Sequence, residues 1–184
     1  RHALTVLEFP RLLDEVAGHA GSELGAERVR ALAPTTDLAW IEREHGRIAA
    51  IRSFRAGEPP WHPEPVPDLR APLERLRVAG LAWNAQELLK AQQLFRSSRR
   101  TRDALRDAKR PAAARAVLEP LAAALIANAA VESAIERCIA DDASVKDDAS
   151  PALRRLRREL RSAEGDLVRL LERQLAKRKN LTAE

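Results

Sequence analysis

At 184 residues, 45% apolar and 32% charged, the chain has the composition of a folded domain with a buried core, which excludes a disordered chain. Three Phe, three Trp and no Tyr stand beside abundant Ala, Leu and Arg, so strand formers are scarce and the expected fold is all-α. The net charge of +5 is polarised: residues 151–179 carry ten basic side chains against four acidic, residues 84–110 eight against three, and the remainder is net −6. Cys138 is the single cysteine, which excludes an intrachain disulfide framework and fits a reducing cytosol. The apolar run over 121–131, broken by Asn128, is about half a membrane span. Arg1-His2 opens without the apolar stretch of a signal peptide, so a cytoplasmic location and no membrane partner are expected. A first residue other than Met reads as a trimmed chain or an excised piece.

In chain order, Leu12, Leu13, Val16, Ala17 and Ala20 form a helical stripe that stops at Gly21. Ser22 caps a second helix with Leu24, Val29 and Leu32, ending before Pro34. Asp37 caps a third, with Leu38, Ile41, His45, Ile48 and Ile51 or Arg52 at helical spacing and a close near Arg55, ahead of Gly57. Five prolines (59, 60, 63, 65 and 67) forbid a helix or central strand over 57–67, an extended surface connection. Trp61-His62 reads as an anchor for that connection, with a binding role as the alternative. A helix restarts at Asp68, runs to about Val78 and ends at Gly80. Asn84, with Glu87 three residues on, resembles a capping box for a long helix to about Lys109. Pro111 suits the first turn of the next, which takes in Leu118, Leu121, Leu125 and Ile126, and Pro120 within it predicts a kink or a split. A shorter helix over about 130–139 precedes a polar loop.

The last segment has the clearest pattern. Ser150 is an N-cap, Pro151 occupies the favoured first position, and Leu153, Leu156, Leu160, Ala163, Leu167, Leu170 and Gln174 follow in alternating steps of three and four. A helix over 151–179 spans about 44 Å, too long for the core of a compact domain of this size. Its seam needs a partner helix, either a second copy or a strand beyond Glu184, because a one-sided apolar stripe cannot hide alone. Arg154, Arg155, Arg157, Arg158 and Arg161 fall outside the seam, in solvent, and Lys177, Arg178 and Lys179 follow. Two readings of this basic helix stand: a rod that tracks nucleic-acid phosphates, or an ordinary solvated coiled-coil exterior. Aromatic residues are absent from 151–184, which counts against base stacking and leaves duplex or branched DNA.

No phosphate loop and no dinucleotide fingerprint occurs, and His2, His19, His45 and His62 are too scattered for metal-ligand spacing. His45 reads as a boundary core residue and Cys138 as a small buried hydrophobe. Asp141-Asp142 and Asp147-Asp148 could together hold a hard cation, or serve as loop solvation and negative charge before a helix N-terminus. No active site assembles from these residues, so no catalytic residue, metal ligand or cofactor is expected in the chain.

Several stretches, taken in order, resemble one family. They are Leu7-Glu8-Phe9, Ser22-Glu23-Leu24-Gly25, Pro34-Thr35-Thr36-Asp37-Leu38, Asp68-Leu69-Arg70 through Gly80, and Glu87-Leu88-Leu89. The most specific is Asp147-Asp148-Ala149-Ser150-Pro151-Ala152-Leu153-Arg154-Arg155-Leu156-Arg157-Arg158. Their order and spacing resemble the N-terminal region of the bacterial MutS-two proteins, MutS homologues without a mismatch-reading domain. The resemblance implies a helical core over 1–146 and an outgoing lever helix over 147–184 that stops before a clamp. It implies a parent with an ATPase domain using ATP and Mg and usually an Smr-type endonuclease domain. That parent is implied to be a homodimer that binds branched DNA and suppresses homologous recombination, while some relatives act on collided ribosomes. The chain departs from the family at Ala79-Gly80, where Gly-Gly is common, and at Gly165 within the lever.

Overall fold

The computed structural model describes residue 4 and residues 6–181, without the side chains at 177 and 179–181. Among the described residues the fold is all-α. Its helices are α1 (Phe9–Ala17), α2 (Glu23–Arg30), α3 (Leu38–Ala56), α4 (Arg70–Arg75), α5 (Ala85–Arg106), α6 (Ala112–Ala124), α7 (Ala129–Cys138) and α8 (Pro151–Leu181). The caps form where side-chain oxygens meet orphan amides. Ser22 Oγ accepts from Gly25 N–H at 3.1 Å and Asp37 Oδ1 from Trp40 N–H at 3.0 Å. Asn84 and Glu87 close a reciprocal capping box, at 2.9 and 3.0 Å, at the start of α5.

Helix α5 is the spine, packing on α6 and α7, while α6 also packs on α3. One core cluster joins Ala50 and Phe54 of α3, Leu105 of α5, and Ala114, Leu118 and Ala122 of α6. The other joins Leu69, Ala91, Ile135 and Ile139 around the first half of α5. Half of the buried apolar residues are alanines, so the helices approach closely but bury little area each. Arginine forks from α5 supply the remaining fixation. Arg99 donates to both oxygens of the buried Glu132 on α7, at 3.0 and 2.8 Å, and holds that carboxyl below its usual range. Arg106 pairs with Glu119 of α6 at 2.6 Å, and Arg100 with Glu64 of the proline-rich connection at 2.8 Å. The second basic segment is thus largely neutralised by the acidic body around it.

The connection is anchored as expected. Trp61 meets Phe54 edge-on, with ring centroids 6.4 Å apart, and its backbone N–H donates to the Phe54 carbonyl at 3.3 Å, while His62 is exposed. Arg110 completes the corner. It lies over the Phe54 ring, 5.4 Å from the centroid, and donates to the carbonyls of Phe54 (3.1 Å) and Pro59 (2.8 Å). A Cβ at Gly57 would sit 2.7 Å from Arg110 Nη1, so a larger residue there would displace the guanidinium from this corner.

Three sequence expectations are corrected. His45 is exposed, as are Leu38 and Ile48, because α3 turns the small side of Gly46 and Ala50 toward α6, where bulkier residues would hold the helices apart. Pro120 does not split α6: it lies on the exposed face, where water can satisfy the Ala116 carbonyl that it leaves unpaired, and the helix ends only at Ala124, before Leu125 and Ile126. Helix α4 covers 70–75 rather than 68–78. Beyond it the bonds shorten to i→i+3 (Arg77 to Glu74, Val78 to Arg75), and Trp83 Nε1 folds back onto the Pro72 carbonyl at 2.9 Å.

Helices α1 and α2 pack on each other and reach the body through Arg70, which forks onto Glu27 of α2 at 2.7 Å and onto Asp68. Bonding to Arg70 lowers the Asp68 carboxyl from 3.8 to about 2 and also lowers Glu27. Folded values that lie below the unfolded ones stabilise above the ordinary carboxylate pKa, and the effect vanishes as pH falls through the folded value. Acidification from pH 5 toward about 2 is therefore expected to speed amide exchange in α1–α2 before α5. Arg70→Gln should produce the same pattern at neutral pH, measured by hydrogen exchange. In the main core, Leu118→Ala removes a side chain with 0% exposure and should cost about 2–5 kcal/mol in urea unfolding.

Candidate nucleic-acid and partner interface on the long helix

Ser150 Oγ accepts from Leu153 N–H at 3.1 Å, Pro151 opens the helix, and α8 then runs 31 residues, about 46 Å, without a break at Gly165. No other described helix packs along it. Leu156, Leu160, Leu167 and Leu170 are each 52–58% exposed, Leu153 is half-buried, and Ala163 and Gln174 are exposed. Val168, Leu171 and Leu175, which the heptad reading did not include, are also exposed and widen the stripe in the distal half. The stripe is broader there than a two-stranded seam requires, and only neighbouring turns lie against it.

The helix is held at its root. The 140–149 loop is tight: Ala140 N–H donates to Ser144 O at 2.9 Å, Lys146 N–H to Cys138 O at 2.8 Å, and Ile139 bridges Val145 in antiparallel fashion. Ala143 takes the left-handed turn at φ 61°, Asp142 accepts from Ser144 N–H at 2.9 Å, and bonding to the Ser144 side chain first and to this N–H second keeps its carboxyl below the usual range. Cys138 is half-buried against this turn, with its Sγ 3.9 Å from the Ala149 carbonyl. From α8, Arg157 donates to the Val145 carbonyl at 2.9 Å and to Asp147 Oδ1, while Arg161 donates to Asp147 Oδ2 at 3.1 Å.

The basic residues nominated by the sequence are not uniformly solvated. Arg157 and Arg161 share Asp147, Arg154 stands 3.8 Å from Asp148, and Arg155 lies 3.6 Å from Glu159. Arg158 has no ion pair among the described residues, and Arg178 is exposed. Lys177 and Lys179 lie outside the described side chains. The acidic pairs bind arginines and loop amides rather than converging, and among the described residues no group of three His, Cys, Asp or Glu could hold a metal ion. Sequence reasoning missed the clasp. Its signal was present: an acid precedes the N-cap, and two arginines four apart share a helix face about two turns into the helix.

A groove of about 450 Å³ lies beside α5. Its side chains are mainly apolar, and most of its polar groups are engaged: Ser98 donates to Ile126 O at 2.6 Å, Ser97 to Glu64 O at 3.4 Å, and Glu64 pairs with Arg100. No described helix alone is long and apolar enough to cross a membrane.

No protein-family model matches the chain. A protein of Gemmatimonas aurantiaca named Endonuclease MutS2 is 56% identical over 176 residues, covering 96% of this chain and 22% of that protein. Proteins of the same name from Ruminiclostridium cellulolyticum and Geobacillus thermodenitrificans are 32% and 33% identical over 166 and 173 residues, covering 88% and 92% of the chain and 20% and 21% of the relatives. The chain thus spans about a fifth of the length of the curated relatives that it matches.

Two consequences follow for α8. A methyl at Gly165 would meet nothing within 4 Å, so Gly165→Ala should stabilise the free helix by about 1 kcal/mol, seen as slower amide exchange in the flanking turns. Leu160→Lys should leave the unfolding free energy of the body, measured in urea, unchanged within about 0.5 kcal/mol, because that side chain packs on no other described helix.

Proposed function

The chain belongs to the MutS2 family, and on that basis we propose that it supplies the helical core and outgoing lever of a MutS-type ATPase, without catalytic residues of its own. The core is 1–146 and the lever 147–184. In this reading the lever couples nucleotide state, set by ATP and Mg in a separate ATPase domain, to a clamp that grips branched DNA. The parent is a homodimeric endonuclease that suppresses homologous recombination. The observation that carries the reading is α8: a single long helix leaves the body rigidly capped and bears an apolar stripe that nothing described covers. The partner that this stripe calls for is a returning lever helix from later in the same polypeptide. The chain exposes 14086 Å² where a compact monomer of its mass exposes about 8,800 Å². Such an excess suits a piece that packs against further structure.

Direct DNA contact runs through the basic face of α8, with Arg158 the side chain most ready to meet a phosphate. Titration of a labelled four-way DNA junction at two salt concentrations tests this. Binding should weaken steeply with salt, and Arg154→Gln with Arg158→Gln should lower the log–log slope by about one per lost contact. No binding at low salt removes direct contact and leaves the mechanical role. That role requires a phosphate-loop ATPase downstream of Glu184 in the same reading frame, and a stop codon there overturns it.

The exposed seam also favours a second reading, a module that dimerises through 153–174. It predicts a concentration-dependent dimer by light scattering that Leu160→Lys dissolves. A monomer at all concentrations rejects it.

A further inference from the structure

The first residues of α8 present a basic face, yet its two best-placed arginines are occupied by one carboxylate of the same chain. Arg157 and Arg161 stand one turn apart, and Asp147 gives one oxygen to each guanidinium, as a phosphodiester would with its two free oxygens. Arg157 is additionally tied to the Val145 carbonyl at 2.9 Å, which fixes its head against the loop. Asp148 repeats the arrangement more loosely, 3.8 Å from Arg154. Arg157 first, and Arg161 after it, hold the Asp147 carboxyl below its ordinary value, so the clasp is charged throughout the neutral range.

We propose that Asp147 acts as an internal stand-in for a DNA phosphate, occupying Arg157 and Arg161 until duplex DNA displaces it. The proposal rests on the reading that this face of α8 contacts DNA, and adds how that contact is restrained. The exchange is feasible on physical grounds. Asp147 and Arg161 are more than half exposed, and ion pairs of that kind are weak and screened. A duplex offers a row of phosphates and releases counterions when arginines meet them. The loop that carries Asp147 also fixes the root of α8, so displacing the carboxylate opens Arg161 and the charge of Arg157, still held at the Val145 carbonyl, to a phosphate, and releases one of the contacts that set the direction of the helix.

The test measures binding of a short labelled DNA duplex to the full chain, at several salt concentrations, for four forms. They are the unaltered chain, Asp147→Asn, Asp166→Asn, and Asp147→Asn combined with Arg157→Gln and Arg161→Gln. Asp166→Asn is the control. It changes the net charge equally and frees Arg169, paired at 2.7 Å, but it lies nine residues beyond Arg157, two and a half turns on and so on the opposite face. Asp147→Asn should tighten binding by roughly threefold to tenfold and steepen the salt slope by about one to two. Asp166→Asn should do distinctly less, and the triple substitution should abolish the gain. Binding that appears only with Asp147→Asn also supports the clasp. Equal gains from Asp147→Asn and Asp166→Asn, or a gain that survives loss of both arginines, overturn the clasp and leave DNA contact standing. No binding by any form at low salt overturns the DNA reading and the clasp with it.

Discussion

A chain of 20.4 kDa that folds only on itself presents about 8,800 Å² to water, and this one presents 14086 Å². The shortfall in burial governs how the molecule is held together. Among the described residues, Phe54 and Leu118 are the two large side chains that are wholly buried, and alanines make up half of the buried apolar residues. With so little apolar area per helix, position is set by charge-assisted hydrogen bonds. Arg99 to Glu132, Arg106 to Glu119, Arg100 to Glu64 and the Arg110 corner tie α5 and its end to α7, α6 and the proline-rich connection. Such forks give geometry more than net energy, because each has to offset the desolvation of its own charges.

The same economy shapes α8. A helix packed on the body would share its motions and could not project. This one leaves through a short loop braced by backbone bonds and the Asp147 clasp, with its apolar stripe uncovered beyond Leu153 among the described residues. A rod that is fixed at one end and apolar along one side has the shape that the proposed lever reading requires. The tether of α1–α2 through Arg70 has similar character: two helices are attached by directional ion pairs rather than by shared core, and so are separable without unfolding the rest.

Much of this was legible along the sequence because it is written in local chemistry. The caps at Ser22, Asp37, Asn84 and Ser150 concern side chains and amides within three residues, and all four form. The prolines between 59 and 67 act through their own rings, and the leucine period of α8 needs no knowledge of the fold. The misreadings share a cause. The face that α3 buries is chosen by α6, which seeks the small side at Gly46 and Ala50 and leaves His45 outside. Pro120 is tolerated because of the side of α6 on which it falls relative to the core.

The sequence by itself determined the fold class, most helix boundaries, the family and the presence of an unpartnered seam, because periodicity, capping and collinear motifs act over a few residues at a time. Tertiary structure alone decided which charges meet. Arg99 and Glu132 are 33 positions apart, and Arg70 and Glu27 are 43 apart. A count of basic residues treats both basic segments alike, whereas packing commits the arginines of α5 to the interior framework and those at the root of α8 to Asp147. An ion pair depends on distance in space, and the distance between residues this far apart in sequence is fixed only once the helices have packed.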